Sequence, residues 1–218
     1  MRSKKFVYIL LLVVGSVALY VYVEYANRYV IPRLVYLDVD AKKQAGFCDR
    51  VTGRAFIRAA VPEDYISKTG VVAAAPAEAP GWLALSTGSE VLIGAVVRLE
   101  KDAMVQMTLA GGWTVGLNGP GEYLFEDARR DEKRTKHSML WTVRHGRFRA
   151  KLNERARARY WLRTRTAVAD VFVHQGEVGM SIPPDGRGGQ IWRVSGRVYI
   201  GWFDGRTRHL SKGGLNYL

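Results

Sequence analysis

An alternation of basic and apolar side chains between residues 147 and 165 constrains the fold of this chain more than any other feature. Successive side chains of a β-strand point to opposite faces, so a period of two predicts strands with one apolar and one cationic face. The pattern predicts two strands that turn at Asn153-Glu154. The basic residues, almost all at consecutive odd positions, are Arg147, Arg149, Lys151, Arg155, Arg157, Arg159, Arg163 and Arg165.

The rest of the chain also favours strands over helices. Its 23 glycines and 7 prolines punctuate short apolar runs, notably over residues 82–125 and 191–203. Three segments share a valine, a turn, a glycine and an apolar residue two places on; their glycines are Gly146, Gly176 and Gly196. We interpret this recurrence as repeated β-turn construction. The prediction is an all-β fold, an antiparallel β-roll or sandwich of short hairpins, preceded by one transmembrane helix.

The predicted helix rests on the amino-terminal apolar run. Phe6–Val23 is 18 consecutive uncharged, mostly apolar residues, about the shortest run that spans a bilayer. Four tyrosines cluster at the exit of this run, where an aromatic belt at the membrane interface is expected, namely Tyr20, Tyr22, Tyr25 and Tyr29. A cleaved signal peptide ending near Ser16-Val17-Ala18 is the alternative. Because the apolar run continues past that point, an uncleaved anchor over residues 6–30 is favoured.

The charges that flank this segment give its expected orientation and the domain plan. They are nearly balanced, but a short basic terminus (residues 1–5) ahead of an early apolar run favours a cytoplasmic amino terminus. We therefore expect a single-pass protein of a bacterial inner membrane with its carboxyl-terminal domain in the periplasm; a cytoplasmic domain is the alternative. The predicted plan is a connector over 31–68 and a β domain over 69–218.

The formal net charge of +13 is concentrated in one place. Residues 34–218 carry +9, of which residues 147–165 supply +7. This face is either an ordinary solvated surface or a site for anions such as lipid headgroups, lipopolysaccharide phosphates or an acidic protein partner. Seven of the eight cations are arginines, which suit bidentate phosphate or carboxylate contacts. An exported location disfavours nucleic acid. We predict that the eight basic residues bind an anionic partner or lipid headgroups.

Catalytic and metal motifs are not recognisable in the sequence. The four histidines lack the HxH or HExxH spacing of metal ligands, and the carboxylates of residues 126–132 are diluted by cations. A single cysteine, Cys48, excludes an internal disulfide and is interpreted as a buried structural thiol. The sequence therefore predicts no enzyme activity, no cofactor and no metal.

Several motifs occur in an order that resembles the exported domain of FecR-like proteins, named for the iron-citrate signal transducer. The resemblance covers roughly residues 69–214 and implies a periplasmic β domain. The similar motifs are Gly70-Val71, Leu85-Ser86-Thr87-Gly88 through Leu92-Ile93-Gly94, Leu109 through Leu117, Gly146-Arg147-Phe148, Arg163 through Ala169, and Val198 through Gly213.

The chain departs from the FecR-like pattern at two points. Phe172-Val173-His174 stands where the family usually has Arg-Gly-Thr, and only five residues precede the predicted helix. The family's cytoplasmic anti-sigma segment is therefore not expected here, and its anti-sigma function is not carried over. We expect a non-enzymatic binding, scaffolding or signalling module. The alternative is an accessory subunit of a larger membrane complex, with its helix on partner helices and its β domain capping the assembly.

Overall fold

The structure, a computed structural model, describes residues 13–21, 42–43, 46–61, 81–109, 112–130, 136–152, 159–186 and 188–217. In these ranges it contains a helix over residues 13–21 and fourteen strands. The strands are β1 Lys42–Lys43, β2 Gly46–Thr52, β3 Ala55–Ala59, β4 Leu83–Ala84, β5 Glu90–Val91, β6 Ala95–Leu99, β7 Met104–Leu109, β8 Trp113–Arg130, β9 Lys136–Leu152, β10 Arg159–Arg165, β11 Ala169–Ile182, β12 Gln190–Trp202, β13 Thr207–His209 and β14 Leu215–Tyr217.

The helix over residues 13–21 belongs to a separate unit, residues 1–38. All nine of its residues are exposed, and most are apolar. Within the described ranges, no helix is both long enough and apolar enough to cross a membrane. The remainder of the predicted anchor, residues 6–12 and 22–30, lies outside the described residues.

The second unit, residues 39–218, confirms the all-β prediction. Its strands are longer than the short hairpins expected from the sequence: β8 has 18 residues, β9 has 17, β11 has 14 and β12 has 13. Neighbouring strands are antiparallel in every described pair except β9 and β10, which run parallel. The difference from the prediction arises because glycines placed inside long strands were interpreted as turns between short ones.

Each of the four long strands contributes to two half-sheets. In β9, residues 147–152 pair with the start of β8, whereas residues 137–145 pair with its end. The first half-sheet consists of β2, β5, β7, β14, residues 113–118 of β8, 146–152 of β9, 176–182 of β11 and 190–196 of β12. The second consists of β1, β3, β4, β6, β10, β13 and the other ends of the long strands.

The inward face of a long strand changes parity where the strand bends. Core side chains of β9 are at odd positions before Gly146 and at even positions after it: Met139, Trp141 and Val143, then Phe148, Ala150 and Leu152. The same change occurs at Gly176 in β11 and at Gly196 in β12. All three glycines have positive φ, between 75° and 119°. The repeated segments of the sequence therefore mark bulges within strands, where a residue with positive φ redirects the chain, and not the turns that we predicted.

Tyr123 fixes the bend of β9 from inside. Its hydroxyl is buried and lies 2.8 Å from the carbonyl oxygen of Asn118 and 3.0 Å from that of Arg147, so the two acceptors share its single proton. A Cβ on Gly146 would collide with this hydroxyl and would lie 2.8 Å from the Cα of Gly121. Both the φ of +107° and the lack of space therefore require glycine at position 146.

The two half-sheets share one core. Phe125 and Trp141, both in the second half-sheet, stack with their ring centroids 4.7 Å apart. Trp141 in turn contacts Phe148 of the first half-sheet, with the two ring centroids 6.0 Å apart. All three side chains are buried, so the inward faces of both half-sheets bury their apolar residues against each other.

Three strands of the sheet come from residues 42–59, within the predicted connector. β2 pairs with β7, and β3 pairs with β6. Cys48 and Ala55 are part of the core cluster. The sheet therefore begins before residue 69. The sequence did not reveal these strands because runs of two to seven residues are too short to show a clear hydrophobic period.

Candidate functional site

The strands predicted from the basic alternation are present on both sides of the expected turn. Phe148, Ala150 and Leu152 of β9 are buried, as are Leu162 and Thr164 of β10. Arg147, Arg149 and Lys151 are exposed on the opposite face of β9. The expected turn at Asn153-Glu154, together with Arg155 and Arg157, lies outside the described residues. Arg159 begins β10, but its side chain also lies outside them.

The eight cations do not form the single face of one strand pair that the sequence suggested. β10 pairs in parallel with residues 136–142 of β9, so Arg163 is opposite Leu140 and Arg165 is opposite Thr142. Parallel neighbours need a connection of a dozen or more residues, which residues 143–158 supply. Because β9 bends at Gly146, Arg147–Lys151 belong to the first half-sheet and Arg163 and Arg165 to the second.

Two of the three arginines of β10, Arg163 and Arg165, belong to an ion-pair cluster with Glu126 and Asp170. Nη2 of Arg163 bonds to Oδ2 of Asp170. Nε of Arg165 is 3.3 Å from Oδ1 of Asp170, and its Nη1 is 3.4 Å from Oε2 of Glu126. Oγ1 of the buried Thr142 also donates to Glu126. The arginine side chains are only about one-fifth exposed (21% and 19%), so this cluster holds strands β8, β10 and β11 together and its charges are matched.

The cationic row, defined as Arg147, Arg149 and Lys151, is different. Within the described part of the chain, neither Arg147 nor Lys151 makes an ion pair. Alternate residues of a strand are roughly 6.7 Å apart, so the three cations form an evenly spaced line on an open sheet face. Among the described side chains of the predicted face, the cations without a carboxylate partner are therefore Arg147 and Lys151 of this row.

Arg149 is at the centre of the row and is held by one carboxylate. Its Nε donates to Oε1 of Glu177 at 2.6 Å, and its Nη2 contacts the same oxygen. The Glu177 side chain is 8% exposed, whereas that of Arg149 is 64% exposed. Glu177 therefore fixes the guanidinium while leaving its Nη1 group open to solvent.

Glycines flank Arg149 on both neighbouring strands. Gly116 of β8 and Gly179 of β11 are its register partners. A Cβ at Gly116 would meet nothing closer than the Arg149 carbonyl oxygen at 4.0 Å, so the space above it is open. A Cβ at Gly179 would collide with the indole of Trp192, which therefore occupies the space above that glycine. The result is a shallow floor across the strands with an aromatic ring at one end.

Polar side chains surround this floor. Asn118 and Ser181 are the register partners of Arg147, and Thr114 is a partner of Lys151. Gln106 is opposite Gly116, and Arg50 is opposite Gln106. Arg50 is exposed, and within the described residues it has no carboxylate partner either. The cationic row thus lies among polar residues of the central strands, with a further cation roughly 14 Å from Arg149, three strand spacings away. The exposed Phe47 of β2 lies on the same face, nearer its edge.

The buried pair Glu122–Arg144 lies beside the bend of β9. Nη1 of Arg144 bonds to Oε1 of Glu122, and both side chains are buried. Next to it, burial lowers the pKa of His145 below its ordinary value of 6.5; Arg144 and Arg98 add to this effect and Glu122 opposes it. The environment beside the bend therefore favours the neutral form of the His145 imidazole.

Of the remaining residues singled out in the sequence, those that the structure describes do not assemble into a site. The ring of His174 stacks on that of Trp161 with their centroids 4.2 Å apart, and the rings of His209 and Tyr199 have their centroids 5.0 Å apart. Among the described residues, no group of three His, Cys, Asp or Glu side chains could hold a metal ion.

Burial, with a smaller contribution from Asp49, raises the pKa of the Cys48 thiol to about 11. This matches the predicted buried thiol. Tyr20 is exposed on the helix, whereas Tyr22, Tyr25 and Tyr29 lie outside the described residues.

Sequence reasoning missed Glu177, Trp192 and Arg50. A usable signal existed for the first two, because the apolar residues around Gly176 and Gly196 change parity as those around Gly146 do. Continuing the strands through these glycines would have placed Glu177 and Trp192 on the outward face beside the row. Arg50 carried no such signal, since β2 has a bulge between Cys48 and Arg50 that hides its period.

Comparisons with known proteins give two structural similarities. No protein-family model matches the chain, and no curated protein shows a significant match. Two crystal structures of a "putative anti-sigma factor" from Parabacteroides distasonis ATCC 8503 are similar, with TM-scores of 0.41 and identities of 14% and 17%. Each similarity covers 56% of this chain and 58% of the other. The likeness is loose at this score, and membership of the FecR-like family stays a prediction.

Proposed function

We propose that this protein is a non-enzymatic binding module, anchored in a membrane near its amino terminus, that holds an anionic partner on the cationic row. One observation carries the proposal. Arg147 and Lys151 are exposed on either side of Arg149 and have no carboxylate partner among the described residues, whereas Arg163 and Arg165 are neutralised in the ion-pair cluster.

The energetics of like charges support this assignment. Cations at alternate positions of one strand repel each other, and an anion that contacts several of them removes that repulsion. Arg149 is also prepared for such a contact, because Glu177 already fixes its guanidinium plane and less side-chain entropy is lost on binding. The face is a stable part of the sheet, so its role is recognition on a rigid surface.

The experiment measures binding of the full-length protein, in an uncharged detergent, to polyglutamate at low salt. The variant Arg147→Gln/Arg149→Gln/Lys151→Gln should bind about tenfold more weakly, because three exposed charge contacts contribute on the order of 0.5 kcal/mol each. The matched control, Lys101→Gln/Arg208→Gln/Lys212→Gln, removes the same charge from exposed positions elsewhere and should bind like the wild type. Equal losses in both variants would assign binding to net charge alone and overturn the proposal.

The proposal of membrane anchoring rests on the uncharged run Phe6–Val23 of the sequence. The described helix over residues 13–21 falls within this run, and its residues are exposed. A helix that is apolar all round is typical of a membrane span. The protein should resist extraction from bacterial membranes by alkaline carbonate, and a protease added to spheroplasts should digest the β unit. A β unit that is protected until the membrane is lysed would contradict the periplasmic placement.

A further inference from the structure

The outward face of the first half-sheet contains a continuous row of side chains that crosses six strands. The row passes through Arg149 at right angles to the cationic row, which follows β9. Its members are Arg50, Gln106, Gly116, Arg149, Gly179 and Trp192, each the register partner of the next. With five strand spacings, the row is roughly 24 Å long, enough for several units of an extended polymer.

The chemistry of this row changes from one end to the other. Trp192 supplies a half-buried indole above Gly179. Arg149 supplies an open Nη1 group in the middle, and Gly116 leaves free space beside it. Gln106 supplies an amide. Asn118, Ser181 and Gln190 lie in the adjacent row and add hydrogen-bonding groups on the same face.

We propose that the anionic partner is an acidic polysaccharide that lies along this row, with a sugar ring on Trp192 and a carboxylate on Arg149. This inference rests on the proposed function and specifies its ligand. Sugar rings have apolar faces that contact an indole and hydroxyl groups that bond to amide and hydroxyl side chains. Their carboxylates are separated by neutral ring atoms, so one carboxylate lies at Arg149, between Arg147 and Lys151, while the neighbouring rings lie over the flanking glycines.

Other anionic partners fit this face less well. A stable protein interface has an apolar centre that excludes water, whereas the centre of this face consists of glycines and an ion pair. A lipid surface is bound by apolar side chains inserted between headgroups together with cations. In the first half-sheet, the described outward residues of the three central strands, β8, β9 and β11, are all polar or glycine. An acidic chain with polar rings matches this composition.

The proposal is tested by titrating the full-length protein, in an uncharged detergent, with three polymers. These are polygalacturonate, polyglutamate and the neutral dextran. Polygalacturonate should bind about tenfold more tightly than polyglutamate at equal charge concentration, because only the sugar polymer contacts Trp192. Dextran should bind weakly or not at all, since it has no carboxylate for Arg149.

Two variants isolate the aromatic contribution. Trp192→Ala should remove the advantage of polygalacturonate and leave polyglutamate binding unchanged, whereas Trp192→Phe should keep most of it. Unchanged polyglutamate binding also shows that the face is intact in the alanine variant. Equal affinities for the two acidic polymers, or equal losses for both in Trp192→Ala, would overturn the polysaccharide assignment and leave the proposed function standing.

Two further outcomes complete the test. Tighter binding to phosphatidylglycerol vesicles than to polygalacturonate would contradict the polysaccharide assignment in favour of a lipid surface. Failure of both acidic polymers and of the vesicles to bind at low salt would overturn the proposed function together with this inference.

Discussion

The ring centroids of Trp141 and Phe148 lie 6.0 Å apart in the core, although both residues belong to strand β9. Seven residues of straight strand would separate them by roughly 23 Å and place them on opposite faces. The bend at Gly146, with register shifts on both sides of His145, explains both facts, since it redirects the strand and changes the inward positions from odd to even. The same bend directs Arg147, Arg149 and Lys151 outward, so the packing of the core and the position of the cationic row have one cause.

Replacing Gly146 by alanine should therefore be severely destabilising. The positive φ alone costs an alanine about 1–2 kcal/mol, and the collision of its Cβ with Tyr123 and Gly121 adds to this cost. We expect a loss of at least about 2 kcal/mol in the free energy of unfolding, measured by urea denaturation. Gly116→Ala is the matched control in the same sheet, and it should change stability little because its Cβ has room. Similar effects of the two substitutions would contradict the account of the bend.

Tyr123→Phe tests the hydrogen bonds that hold this bend. The substitution keeps the ring but removes the donor to the carbonyl oxygens of Asn118 and Arg147. Buried carbonyls without a donor cost about 1–3 kcal/mol, which should appear as a lower urea midpoint at an unchanged slope. As a control, Thr108→Val removes an exposed hydrogen bond to Asp49 and should be close to neutral. A phenylalanine variant as stable as the wild type would show that the hydroxyl is not needed.

Asp170→Asn tests whether the ion-pair cluster is structural. Asp170 is bonded to both Arg163 and Arg165, and its side chain is 11% exposed. Removing its charge leaves two largely buried guanidinium groups under-compensated, for which a loss of about 3–5 kcal/mol is typical. Glu100→Gln breaks an exposed pair with Arg54 at 3.7 Å and should have no measurable effect. If Asp170→Asn keeps full stability but strengthens anion binding, the released arginines belong to the binding site and not to the core.

The buried thiol of Cys48 should react slowly in the folded protein. Because its pKa is raised to about 11, the thiolate fraction at pH 8 is on the order of one in a thousand, and it grows as the pH rises towards that value. Alkylation by iodoacetamide at pH 8 should be at least about a hundredfold slower in the native protein than in urea. The rate can be followed by mass spectrometry. A native rate within tenfold of the unfolded rate would show that strand β2 opens readily.

The sequence was sufficient to predict strands on both sides of residues 153–158, because each strand has a clear period of two. It was not sufficient to predict which strands pair. Arg163 and Arg147 look equivalent in the alternation, yet one is paired with Asp170 and the other is exposed with no carboxylate partner among the described residues. That difference depends on the parallel pairing of β9 and β10, which is a non-local contact and leaves no trace in the local period.

The candidate site was predictable only in part for a related reason. Arg147, Arg149 and Lys151 were identified because they are consecutive on one strand. Trp192 and Gly116 join them from strands that are distant in sequence, through register alone. Glycines inside β9, β11 and β12 were interpreted as turns because a glycine with positive φ serves equally in a turn and in a bulge. The change of apolar parity across each glycine distinguishes the two cases.

The most direct test of the central claim is the salt dependence of polyglutamate binding by the wild type and by the Arg147→Gln/Arg149→Gln/Lys151→Gln variant. If the cationic row binds anions, their dissociation constants should differ about tenfold at low salt and converge near 1 M salt, where the screening length falls to about 3 Å. A ratio that stays constant across the salt range, or equal affinities at low salt, would contradict the claim that this row is the binding site.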